Sequence, residues 1–153
     1  MTSIKNIFDP AVVQELIARI ESLTPSTQPV WGTMHVAQML AHCNVTYEMV
    51  YENKHPKPNV LMRFILTKFI KPAVVGDKPY PKSSRTAPAF VIKTDKVFAD
   101  EKARLLAYLN TTVANGPSFF EGKESLSFGN LTSAEWNAMF YKHLDHHLRQ
   151  FGA

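Results

Sequence analysis

LTSAEWNAMFYKHLDHHLRQFG, residues 131–152, decides the fold. It opens as a helix N-terminus: Thr132 is suited to cap, Glu135 stands three positions on for a capping box, and Leu131 can staple against Trp136. Gly152 supplies a residue suited to a left-handed C-terminal cap. At about 100° per residue, His143 and His147 fall one above the other on a single face, an i, i+4 pair able to share one metal ion. The same stripe carries Trp136, Met139, Phe140 and Gln150, so the two imidazoles are expected to face the interior. His146 lies to one side, and Asp145 is expected to point the opposite way, toward solvent. Two histidines near a helix C-terminus also serve simply as cations facing the last carbonyls. The pair alone leaves both readings open; a third histidine would decide between them.

Upstream, Trp31-Gly32-Thr33 leads into a helix expected to run to about Asn53, with Thr33 as its cap. Its apolar arc is Val36, Met39, Leu40, Cys43, Tyr47 and Val50, and Asn44, Glu48 and Glu52 mark the expected wet face. His42 falls at the border of the arc, in line with His35, Thr46 and Met49. A lone histidine there is ordinarily a core residue hydrogen-bonded to a neighbour, and a ligand role competes with that. Cys43 points about 100° away from His42, which suits a buried small hydrophobe. His35, two turns from His42, and His55, in the proline-broken 54–59 linker, read as solvated.

The remaining elements are scaffold. Asp9-Pro10 caps and starts a first helix with Val12, Val13, Leu16, Ile17 and Ile20 at helical spacing to about Leu23. Residues 60–71, VLMRFILTKFIK, form a short helix apolar around most of its circumference, expected to be buried or to face a second copy rather than to anchor on a membrane. Residues 72–94 have turn chemistry throughout, and loops this long in compact domains are usually functional or disordered. A helix from about Phe98 to Val113 stops at Asn115-Gly116-Pro117. No strand pattern convinces, although 89–93 has the composition for a brief extension. The expected fold is all-α: one domain, 1–153, an antiparallel helical bundle with a short extra helix and a long loop between the second and third bundle helices.

Composition narrows the setting. With 153 residues, 45% of them hydrophobic and 20% charged, the chain is long enough for a real core. One cysteine allows no intrachain disulfide, and neither a signal-peptide pattern nor an apolar run of spanning length is present, so a cytoplasmic location is expected. Residues 54–104 hold twelve lysines and arginines against four acids, and the remainder holds five against nine. The basic residues are scattered among prolines without nucleic-acid motifs, which suits a solvated surface or an anionic small-molecule substrate better than nucleic acid. No membrane partner is expected.

WGTMHVAQMLAHC in the second helix, together with YKHLDHHLRQFG at the end, resembles the DinB-like (YfiT-like) superfamily of metalloenzymes, in a branch of uncharacterised domains ending in HLDHHLRQFG. The resemblance implies a four-helix bundle of up-down-down-up topology, often a homodimer, holding a divalent metal on one histidine of the second helix and an HxxxH pair of the fourth. By position those are His42, His143 and His147. It also implies that His146 is not itself a usual ligand.

Three neutral imidazoles leave a tetrahedral ion one open position, the arrangement of a catalytic site, and imidazole suits zinc, nickel or iron. Water or a thiol in that position is activated by a lowered pKa. Characterised members of the resembled superfamily include transferases and isomerases that use low-molecular-weight thiols. By that analogy the metal activates a thiol cofactor, with Trp31, Trp136, Met39 and Phe140 as apolar walls and the basic middle segment holding carboxylates. A metal-dependent hydrolase fits the same ligands but lacks an evident general base, since Glu48 and Asp145 are expected to face away. A dimeric binding or stress module with a structural metal, using the 61–71 helix as partner surface, is the non-enzymatic alternative.

Overall fold

The structure is a computed structural model that describes residues 3–153; the reading of the amino-terminus for a signal-peptide pattern falls in part on the two residues outside them. It is mostly helical, with one two-stranded hairpin. Helix α1, Pro10–Glu21, starts where Asp9 accepts from the Ala11 amide (2.9 Å) with Pro10 in the first turn, and buries Val13, Leu16 and Ile20. Helix α2, Val36–Tyr51, is followed by a helical segment of three consecutive parts: α3, Val60–Ile65, a π-helical turn, Leu66–Ile70, and α4, Lys71–Val75. Helix α5 spans Phe98–Phe120, and α6 spans Ser133–Gln150. Strands β1, Glu124–Ser125, and β2, Gly129–Asn130, pair antiparallel between α5 and α6, an element with no clear sequence pattern.

The last helix follows its sequence to both ends. The Glu135 amide donates to Thr132 Oγ1 (3.2 Å) and the Thr132 amide to Glu135 Oε2 (3.0 Å), a reciprocal capping box. At the other end Gly152 sits at φ +75°, its amide donates to Arg149 O, and Ala153 N reaches Leu148 O, the two bonds of a Schellman closure. Gly116, at φ +70°, breaks α5 where the sequence placed its stop, and Pro117 begins one further turn.

Helices α1, α2, α5 and α6 supply most of one buried cluster, including Leu16, Ile20, Met39, Leu40, Tyr47, Leu105, Leu109, Trp136, Phe140 and Leu144. Each of the four packs against at least two of the others. Tyr47 stacks on Phe140 (5.0 Å between centroids), and Phe140 meets Phe120 edge-on. No helix among the described residues is long and apolar enough to cross a membrane.

Several expectations are corrected. The cap of α2 is His35, whose amide donates to Gln38 Oε1 (3.1 Å), because residues 30–32 are taken up by the end of α6: Val30 N donates to Gln150 O, and Gln150 Nε2 donates to Trp31 O. The expected wet face of α2 is closed, with Asn44 and Glu48 buried against α5. Asp145 is buried too, held by Arg19 of α1 (2.8 Å) and Arg149 (2.9 Å). His55 is not solvated but bonds Glu48 Oε2 (2.7 Å). Residues 88–90 make a 3₁₀ turn rather than a strand. The 60–71 helix continues to Val75, and nothing on it is buried, because the core is already filled and the segment is attached chiefly by polar ties: Arg63 to Glu124, Lys71 to Glu135, and Lys142 Nζ to the carbonyls of Ala73, Val74 and Gly76.

Gly32 has φ +82°, and an added Cβ would lie 2.6 Å from Gln150 Nε2. Gly122, at φ +72°, faces open space. Both Gly→Ala changes carry the left-handed backbone cost of ~1–2 kcal/mol, and only Gly32→Ala adds a clash. Thermal melts should therefore rank Gly122→Ala above Gly32→Ala by several degrees; equal melting would show that the Gln150 amide yields freely.

Candidate metal centre

Residues four apart on α6 put His143 and His147 on one face, and α2 brings His42 across to them. The three rings pack with centroids 4.4–4.9 Å apart. One nitrogen from each lies within 4.8 Å of the others, within reach of a single metal ion. His42 Nε2 and His143 Nε2 are 2.9 Å apart; around a tetrahedral ion with N ligands at ~2.0–2.1 Å the separation would be about 3.3 Å, a ring adjustment of a few tenths of an ångström.

The outward nitrogens are all engaged. His42 Nδ1 donates to the Phe90 carbonyl (2.8 Å), which can only accept, so the proton is on Nδ1 and the Nε2 lone pair is turned to His143 Nε2. Gln150 Nε2 donates to Trp31 O (2.9 Å), which turns Gln150 Oε1 toward His147 Nδ1 (2.7 Å) and makes that nitrogen the protonated one. His143 Nδ1 meets Thr46 Oγ1 (3.1 Å), a hydroxyl able to donate or accept. Such outer hydrogen bonds are what fix tautomer and ring direction at imidazole metal sites.

The electrostatics hold the rings neutral. Burial pushes the His42 pKa below the usual imidazole range, against the Phe90 hydrogen bond, which raises it. Burial, then the neighbouring His147, His42 and His146, push His143 down further. His147 falls to about 3, again chiefly through burial, with the Gln150 bond partly opposing. Neutral imidazole is the form that binds metal. With the nearest donors all nitrogen and no thiolate or carboxylate in the cluster, the set fits a transition ion rather than magnesium or calcium.

His42 and His147 are buried, and His143 keeps partial exposure. Phe90 and Tyr80, both from the 72–94 loop, flank His143 at 5.8 and 6.5 Å between rings. The walls expected from sequence differ: Trp136, Met39 and Phe140 belong to the buried core, and Trp31 contacts His146 instead (5.8 Å). His146 stands beside the cluster, edge-on to His147 at 5.0 Å, and outside its ligand set. His35 is exposed at the start of α2, and Cys43 is a buried free thiol whose pKa burial raises. A cleft of about 190 Å³ adjoins His146, lined in part by Trp31, Tyr80, Lys82, Lys142 and Arg149, with Lys82 Nζ 4.4 Å over the Trp31 ring.

Thr46 and Gln150 were legible as stripe-mates of the histidines without a role. Phe90 carried no sequence signal, because its contribution is a backbone carbonyl.

No curated protein and no solved structure matches the chain. Residues 8–153 match the model of a family described as a protein of unknown function, DUF1569, and the chain belongs to that family.

Proposed function

We propose that this protein is a divalent-metal-dependent enzyme of the DinB-like kind, in which α1, α2, α5 and α6 form one antiparallel four-helix bundle and His42, His143 and His147 hold one zinc, nickel or iron ion. The observation that carries the reading is the tautomer control: two imidazoles have their Nδ1 protons fixed by carbonyl acceptors, which leaves their Nε2 atoms bare, in a cluster whose three rings each bring a nitrogen within 4.8 Å of the others. A capping or core role for these histidines would need no such convergence. When bound, the ion supplies Lewis-acid chemistry, lowering the pKa of a thiol or water that coordinates it.

The reaction proposed is transfer or isomerisation dependent on a low-molecular-weight thiol. Tyr80 and Phe90 would exclude water beside His143, and Lys82, the lysine of the adjoining cleft that no carbonyl holds, would attract an anionic substrate there, opposite Asp77 and the arginine-paired Asp145 of the same lining. Hydrolysis is less well supported: Glu48 is tied to Arg104 and His55, and Asp145 to Arg19 and Arg149, so neither carboxylate is available as a base.

The test is elemental mass spectrometry on tag-free protein beside His42→Ala and His143→Ala. About one ion per chain in the wild type, lost from both variants, is expected; no ion in any sample after incubation with zinc, nickel or iron in turn would overturn the proposal. Gln150→Leu keeps all three ligands but frees the His147 ring, and should weaken binding about 10–100-fold in a chelator competition. Unchanged affinity would mean that the His147 tautomer is not set by Gln150.

A further inference from the structure

The helical segment from Val60 to Val75 is apolar where a folded chain ordinarily is not. Val60 is 88% exposed, Phe64 58% and Phe69 64%, and Leu61, Met62, Ile65 and Ile70 are exposed beside them. The other exposed large apolar side chains, Val30, Val91, Val97 and Phe119, are scattered along the chain. Single exposed apolar residues need no explanation, whereas a contiguous patch marks an interaction surface. The segment is also firmly presented, through the ties of Arg63, Lys71 and Lys142.

Charge selects the occupant. Residues 54–76 contain five lysines and arginines and no carboxylate, and residues 77–97 add five against two aspartates. Lys54, Lys57, Arg63 and Lys71 meet glutamates of the body, while Lys68 lies over Phe64 and Phe69, 5.7 Å from each ring centroid. With those four paired, the charge left unbalanced on the apolar face is Lys68, and a second copy of the chain would bring the same excess cation and no free carboxylate of its own segment to meet it. An anionic bilayer supplies both partners this face lacks: acyl chains for the aromatic and branched side chains, and phosphate for Lys68, whose stem lets the ammonium reach the headgroups.

We infer that residues 60–71 form a monotopic docking face for anionic membrane surfaces, with Phe64 and Phe69 entering the interface and Lys68 engaging lipid phosphate. Because Lys142 ties the end of this segment to α6 next to His143, docking would hold the candidate metal centre close to the bilayer.

Sedimentation of the full chain with phosphatidylcholine vesicles, and with equimolar phosphatidylcholine and phosphatidylglycerol, tests this. Binding to the anionic vesicles is expected to be at least about tenfold tighter and to weaken with added salt. Phe64→Asp with Phe69→Asp should abolish it with an unchanged circular dichroism spectrum, both side chains being exposed, and Lys68→Glu, which keeps both rings, should lower it several-fold. Failure to sediment with either vesicle at low salt, or binding that all three substitutions leave intact, would overturn the inference. So would a homodimer in size-exclusion light scattering that the double variant dissociates, which would give the face to a second copy.

Discussion

Acidifying chelator-treated protein from pH 6.5 to pH 5 is expected to cost at least about 2 kcal/mol of stability. An unfolded histidine titrates near 6.5, whereas His147 in the fold titrates at about 3 and His42 and His143 are also lowered, all chiefly by burial. Between those values the unfolded chain binds more protons than the folded one, so stability rises with pH and is lost as pH falls. At about 1.4 kcal/mol per pH unit, His147 alone contributes roughly 2 kcal/mol over that interval, and His42 and His143 act in the same direction. The lowered Glu48 adds a loss of the same sign, but only below the ordinary carboxylate range. Urea midpoints at pH 7, 6 and 5 measure the effect. His147→Leu, which cannot titrate, should remove its share of roughly 2 kcal/mol and flatten the dependence; midpoints equal at pH 7 and pH 5 in the wild type would mean that the three rings are not neutral and buried together.

The same neutral state makes protons competitors for any bound ion. Loaded protein should hold its stability to lower pH than chelated protein and then lose it more steeply, because unfolding would release the ion and take up the protons together.

What the sequence made legible follows from the range of each interaction. The α6 caps, the Asp9-Pro10 start and the Gly116 break depend on residues within four positions of one another, and all three are where local chemistry put them. His143 and His147 shared a face for the same reason, and His42 joined them through a resemblance rather than through spacing. Polar residues facing other polar residues were not legible. Periodicity separates polar from apolar positions, but it cannot tell water from Arg104 as the partner of Glu48, or from Arg19 as the partner of Asp145. The Phe90 carbonyl and the Tyr80 ring reach the site from an irregular loop whose path no periodicity encodes. The hairpin at 124–130 was missed because two residues per strand are too few to alternate.

The misread face of α2 carries the second large prediction. Arg104 of α5 donates to Glu48 and, at 2.8 Å, to Glu101, while Asn44 donates to Glu101 (2.8 Å), and His55 and Lys54 close on Glu48. Burial by itself raises the Glu48 pKa, yet the hydrogen bonds from Arg104, His55 and Lys54 outweigh it and hold the carboxyl below its ordinary value. Glu48 is thus held charged although buried, Glu101 is buried beside it, and one guanidinium serves both. Arg104→Met should destabilise the fold by about 3 kcal/mol, at the lower end of what breaking a buried pair costs because a third of the arginine side chain remains in water. Adding Glu48→Met removes the stranded charge, so the double variant should be about 1–2 kcal/mol more stable than the sum of the singles implies. Additive effects in denaturant would mean that Lys54 and His55 suffice to neutralise Glu48. Because His42 and Glu48 lie on the same helix, a coupled loss should also loosen metal binding in Arg104→Met, and the double variant should recover it together with stability.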